Sequence, residues 1–467
     1  MGSCPGAPAG STETPSPGPL FCHPLVSMSP MDPADRRASV RRRPRTAAVV
    51  TAVAAVAAAL CAVTACGGGH PYDRGGRPHA SGPATGPAVP PGSFPETPTT
   101  TFQGAWPALT AEDGPSGVLT LGTRLAYAYD RDDVGVTAFH LDSGEVAWHS
   151  AVPGGDDVAQ APRLTGDKVI GAFTTTEEGG GTYADRRALT VVALEAGTGA
   201  TLWTREIALG TAGGAGGDGE DPDPTAVARV VGADDRHVLV ASDAPGYSET
   251  PPLSALLDTA TGRVVWTDTD FEGVDLERSV AVGVRDDGDF VGRSTTDGAQ
   301  LWKRDLRLGE ARTADPGPGL TWADGVGPGG SLLLDPTSGT TRLDSGDTSL
   351  DACRYDGGSI TVCAGSDGSG DASVWAVDVR DARVLWRLPD RPAGRIAPEV
   401  TAAWHGVVYA QADQAMTLDA RTGRDLDPDV GLVSPALVND GYGLVYDATA
   451  RAFDVYRSGG APGRSTG

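Results

Sequence analysis

The chain of 467 residues holds two lysines, Lys168 and Lys303, one asparagine, Asn439, and only 6% aromatic residues. So few lysines beside many arginines reads as codon bias of a GC-rich genome, not as a property of any site. Basic charge is scarce overall, with 37 Lys and Arg against 61 Asp and Glu, a net charge of −24. Residues 1–66 carry six of the arginines and three of the acids, so the remainder holds 31 basic and 58 acidic residues, a net −27. Such a surface repels phosphate backbones, and no basic patch offsets it, which excludes nucleic acid as a partner. The acidity serves solubility. Helical periodicity is missing outside one N-terminal segment. His-Glu-x-x-His and Gly-x-x-x-x-Gly-Lys are missing, and there is no persuasive nucleophile elbow. His70, His79, His140, His149, His237 and His405 are scattered without metal-ligand spacing. Asp130-Arg131-Asp132-Asp133 and Asp286-Asp287-Gly288-Asp289 lack the twelve-residue calcium loop and read as turns, so no metal site is expected.

An arginine cluster (Arg36, Arg37, Arg41, Arg42, Arg43, Arg45) precedes an apolar stretch from Ala47 to Ala65 that ends in Val63-Thr64-Ala65-Cys66. This resembles a bacterial lipoprotein signal peptide with its charged, apolar and small-residue regions. The resemblance implies that Cys66 is lipidated and becomes the mature N-terminus; Val63 stands where the pattern prefers Leu. The alternative is an uncleaved membrane anchor, because the run is about as long as a spanning helix. Starts at Met28 or Met31 would give an ordinary signal peptide, so residues 1–30 read as a mis-assigned start or a disordered extension, and 31–66 as the signal. Residues 67–99, rich in Gly and Pro, bury too little to order and read as a flexible tether. A globular body is expected over 100–457, with a disordered tail at 458–467.

Within that body a turn Gly followed four residues later by Trp recurs at Gly144/Trp148, Gly199/Trp203, Gly262/Trp266 and Gly298/Trp302. Degraded copies follow at Gly339/Leu343, Ala382/Trp386 and Gly423/Asp427. Successive turns lie 55, 63, 36, 41, 43 and 41 residues apart, close to one four-stranded blade where nothing is inserted. Each unit pairs apolar or alternating runs with a tight Thr-Gly or Ser-Gly turn, the grammar of hairpins. After the seventh copy two more strands are legible, and Thr100 to Trp106 reads as a strand without a blade. Joined, these complete an eighth blade from both termini, leaving no open edge. The expectation is an all-β, single propeller of eight four-stranded blades, with seven as the alternative.

Ala193-Leu194-Glu195-Ala196-Gly197-Thr198-Gly199-Ala200-Thr201-Leu202-Trp203 resembles the pyrroloquinoline-quinone-like (PQQ-like) propeller repeat, Ala-Leu-Asp-x-x-Thr-Gly-x-x-x-Trp. The resemblance spans about residues 118–456. It implies that Trp148, Trp203, Trp266, Trp302 and Trp386 are structural, each wedged between adjacent blades with its indole N–H partnered. The family includes quinoprotein alcohol dehydrogenases, in which a vicinal disulfide stacks on the quinone and acidic and amide groups hold calcium. This chain has no adjacent cysteines, so no cofactor and no catalysis are expected. The alternative is a degenerate or unrecognised enzyme with its site in the central funnel. Cys353 and Cys363 lie symmetrically about Gly358, so a hairpin sets them opposite each other within reach of a disulfide.

Insertions at Thr175–Arg187, Leu209–Thr225 and Asp243–Pro252 fall where second-to-third-strand loops and blade crossovers open on one face of blades two and three. Long loops on a rigid scaffold carry function more often than the scaffold does, which makes Tyr183, Arg186, Arg187, Tyr247 and Glu249 candidate contacts. The expected function is a monomeric, extracytoplasmic binding, scaffold or sensor module. A lipid holds it to the membrane, and it takes a protein or cell-envelope partner.

Overall fold

The computed structural model describes residues 93–104, 117–155, 160–179, 186–211, 227–243, 252–285, 287–306, 316–324, 330–427 and 433–459. Residues 1–80, with Cys66, lie outside the described residues, and the unit Ser81–Gly467 is a propeller. Among the described residues no helix is long and apolar enough to cross a membrane.

After β1 (Thr100–Gln103), blade 1 holds β2 (Leu119–Leu121), β3 (Leu125–Asp130), β4 (Gly135–His140) and β5 (Val146–Ala151). Blade 2 holds β6 (Arg163–Thr165), β7 (Lys168–Glu177), β8 (Arg186–Glu195) and β9 (Thr201–Thr211). Blade 3 holds β10 (Val227–Ala233), β11 (His237–Asp243), β12 (Leu253–Asp258) and β13 (Val264–Asp268). Blade 4 holds β14 (Glu272–Glu277), β15 (Val280–Val284), β16 (Asp289–Ser294) and β17 (Gln300–Asp305). Blade 5 shows three strands among the described residues, β18 (Thr321–Asp324), β19 (Ser331–Leu334) and β20 (Thr341–Asp344). Blade 6 holds β21 (Ser349–Tyr355), β22 (Ile360–Ser366), β23 (Ala372–Asp378) and β24 (Arg383–Leu388). Blade 7 holds β25 (Glu399–Trp404), β26 (Val407–Gln411), β27 (Ala415–Asp419) and β28 (Asp425–Asp427). Blade 8 combines β29 (Leu437–Val438), β30 (Tyr442–Asp447) and β31 (Ala452–Arg457) with β1.

The eighth blade is thus built from both termini, as the unassigned strand at Thr100 led one to expect. β1 runs antiparallel to β31, with Phe102 opposite Phe453. Phe102 also stacks on Phe139 of blade 1 at 4.7 Å, and Thr100 Oγ1 donates to the Ser143 carbonyl, so the last blade is joined to the first. The strand stops at Gln103, and Trp106 lies outside the described residues.

Sequence pattern explains burial within each blade. Middle strands such as β12, Leu-Ser-Ala-Leu-Leu-Asp, are buried almost throughout because neighbouring blades cover both faces. Outer strands such as β13 are half-exposed. Between blades, the recurring Trp reaches the turn of the next unit. Trp148 Nε1 donates to Ala196 O at 3.0 Å, Trp203 to Thr259 O at 3.0 Å and Trp266 to Ser294 O at 3.2 Å. Trp302 donates to Pro336 O and Trp386 to Ala420 O, both at 2.8 Å. Each ring lies under the next turn Gly, so the two halves of the motif belong to consecutive blades in contact.

Candidate binding site

Blade 2 is longer than its neighbours. β7 and β8 have 10 residues each and β9 has 11, whereas the outer strands of blades 3, 4 and 6 have five or six. Pairing continues unbroken from Lys168 opposite Glu195 to Glu177 opposite Arg186. The stretches Thr175–Glu177, Arg186–Arg187 and Leu209–Thr211 are therefore strand and not inserted loop. Thr175 and Thr176 carry the strand onward, because β-branched residues favour continued pairing.

The overshoot is anchored. Thr175 Oγ1 and Thr190 Oγ1 lie 2.8 Å apart, Thr176 N–H donates to Gly154 O at 3.2 Å, and Leu209 packs on the core shared by blades 2 and 3. Arg186 is exposed and Arg187 half-buried at the mouth of this hairpin. Both stand on the face opposite the Gly turns. Tyr183, Tyr247 and Glu249 lie outside the described residues, so only the two arginines of the candidate set are placed. Among the described residues β9 pairs with β8 alone and forms the sheet's outer edge.

The first strand of each blade faces the ring's interior, and its charged side chains were not singled out by sequence. Arg229, 5% exposed, donates through Nη2 to Glu272 Oε1 at 3.0 Å and to Gly273 O at 2.9 Å on the next blade. Arg163 Nε donates to Val230 O at 3.4 Å, and Arg354 Nε to Thr401 O at 3.4 Å, each again on the following blade. Burial holds the Arg354 guanidinium below its ordinary pKa. An arginine in the first strand of a blade was the available signal, but each also reaches a backbone carbonyl of the next blade, which sequence does not mark.

Cys353 and Cys363 are bonded and directly opposite on β21 and β22. The same row continues through Trp375 to Arg387, whose guanidinium lies 3.6 Å from the indole centroid. The acidic turns cap themselves: Asp130 Oδ1 accepts from the Asp132 and Asp133 amides, and Asp287 Oδ1 from the Asp289 amide. At the blade 6 turn, hydrogen bonds from Arg380 hold the Asp378 carboxyl down to about 2.

A family model described as outer membrane protein assembly factor BamB matches residues 105–304, 187–342 and 294–430. The chain belongs to the PQQ-like propeller repeat family. The three overlapping matches are what a PQQ-like repeat produces when the model slides along the ring. Among solved structures, BamB from Moraxella catarrhalis is 16% identical, covers 77% of this chain and 100% of its own, and gives a TM-score of 0.43. The quinohemoprotein alcohol dehydrogenase ADHIIG from Pseudomonas putida is 11% identical, covers 80% and 79%, and also gives 0.43. Comparison with curated proteins returns no match. The fold rests on the strand pairing and on the family match, not on these two likenesses.

Proposed function

We propose that this PQQ-like propeller is a non-catalytic binding module of the cell envelope, held outside the cytoplasm through lipid on Cys66, and that the raised hairpin of blade 2 contacts its protein partner. One observation carries the reading: β7, β8 and β9 all extend past the strands of their neighbours on one face, and among the described residues the β9 edge is left for an extended segment to pair with. By sequence, the connections on this face bring Glu178, Asp185, Asp218, Glu220, Asp221, Asp223 and Glu249 against Arg186 and Arg187, an acidic balance that favours a partner with a basic surface. The family match to an outer-membrane assembly factor supports an envelope location and a protein partner.

The residues present do not fit the quinone site of the family's dehydrogenases. The disulfide joins cysteines ten residues apart on neighbouring strands and is buried inside blade 6, so it is no vicinal ring to stack on a cofactor. Asn439, the single Asn, donates to Gly122 O at 2.6 Å and accepts from its own turn.

The test is a crosslinking pull-down from envelope, comparing the native chain with one in which Asn-Gly replaces Thr176–Arg187. Loss of specific partners with unchanged thermal unfolding is expected, and identical partner lists would rule out this face. Mass spectrometry of the exported protein checks the anchor: an unmodified Cys66 behind an intact upstream segment would remove it.

A further inference from the structure

Among the described residues, the outer strand of a blade offers a large side chain to the next, a Trp in blades 1–4 and 6, Leu343 in blade 5 and Phe102 in blade 8, whereas in blade 7 the register position is Asp427. In blade 1 the wedge belongs to a row, Trp148 opposite Ala138 opposite Tyr127, and the Tyr127 and Trp148 rings lie 5.9 Å apart at 40°. In blade 7 the matching row is Asp427, Thr417 and Tyr409. There the Tyr409 ring meets a different partner. Phe94 lies 5.6 Å from it at 45°, nearly the same relation. Phe94 is 1% exposed and clusters with Ala402, Val407 and Tyr409 of blade 7 and Tyr456 of blade 8, with Val438 and Val445 around them. A Cβ on Gly443 of blade 8 would come within 3.0 Å of the ring.

The flanking backbone is held as well. Gly459 N–H donates to Ser93 O at 3.4 Å, Thr99 N–H to Val455 O at 2.7 Å, and Arg457 N–H to Thr99 Oγ1 at 3.2 Å. The chemistry of the exchange is consistent. A wedge Trp needs a turn carbonyl on the next blade for its N–H, but β31 and β1 come from opposite regions of the chain and no turn joins them. A phenyl ring needs no such acceptor, so it can fill the space without leaving a polar group unpaired.

We infer that Phe94 is the missing wedge of the blade 7–8 seam, supplied by the N-terminal segment, and that this segment locks the ring. The seam is therefore the joint that opens when the segment is pulled away or cut, and it exposes Tyr409 and Tyr456 when it does. This goes beyond the binding reading and does not depend on it.

Hydrogen exchange on the chain from Cys66 onward tests it. Phe94→Ala is expected to speed exchange at least tenfold in β26 and β29–β31 while blades 2–4 keep their native rates. A second arm avoids misfolding: a protease site is placed at the exposed Glu96–Thr97 step and cut after folding, freeing the piece that bears Phe94. It should give the same local pattern, whereas a cut upstream of Ser93 should change nothing. Native exchange at the seam in both arms, or acceleration spread equally over blades 2–4, would overturn the inference.

Discussion

A Cβ placed on Gly199, Gly262, Gly339 or Gly423 would fall 2.5–2.7 Å from the indole of the preceding blade, and all four glycines have positive φ. Gly262→Ala combines that clash with a left-handed backbone and is expected to cost about 2–4 kcal/mol in denaturant unfolding. The degraded copies explain one another. Blade 6 carries Ala382 at φ 54 where Gly is usual, and the blade before it offers Leu343 where Trp is usual. Leu343→Trp alone should destabilise the fold, and adding Ala382→Gly should recover most of the loss. A coupling of about 1–2 kcal/mol in a double-mutant cycle checks the pair. The Asp378 carboxyl, held at about 2 by Arg380, behaves as a depressed acid. Its contribution is fully present above the unfolded value near 4 and is lost as pH falls toward 2. Arg380→Ala should therefore narrow stability differences measured between about pH 4 and 2. Because Arg380 is mostly exposed, screening keeps the effect small.

Elements show where sequence patterns end. The Trp and Gly spacing located the fourth strands because tight turns and indoles are local signals, and the hairpin of Cys353 and Cys363 followed from its symmetry. Hairpin lengths were less legible: Thr175–Glu177 and Arg186–Arg187 lie among Gly and acidic residues, yet cross-strand pairing carries them into β7 and β8. Blade 6 supports a spectroscopic prediction at this scale. The disulfide, Trp375 and Arg387 share one row, with Trp375 Nε1 donating to Ser373 Oγ at 2.8 Å. Reduction should raise tryptophan fluorescence as a nearby disulfide quencher is removed. It should also lower stability by about 3 kcal/mol on the loop-entropy estimate for so short a loop. Cys353→Ser should reproduce both changes.

At the scale of the molecule, closure is a matter of topology. β1 covers the edge of β31 and buries Phe102 between Phe139 and Phe453. A chain lacking residues 1–104 leaves that edge and those rings open, and edges of this kind template pairing. It is expected to self-associate, seen as increased light scattering and a lower midpoint of thermal unfolding than the chain from Cys66. Blade count was legible because the leftover strands at each end were too few to make a blade alone. Phe94 was not legible, since one aromatic among Pro, Gly and Ser carries no period and its partners, Tyr409 and Tyr456, lie more than three hundred residues away.

By itself the sequence determined the repeat, the all-β class and the Trp wedge positions, because these depend on turns and pairings between near neighbours, and it pointed to closure by both termini because the strands left over at the two ends complete one blade. Only the tertiary structure decided that each Trp serves the next blade's turn, that inner arginines bind carbonyls across junctions and that Phe94 seals the seam. Those contacts join residues whose spacing along the chain has no fixed value, so packing in three dimensions is the only place they are written.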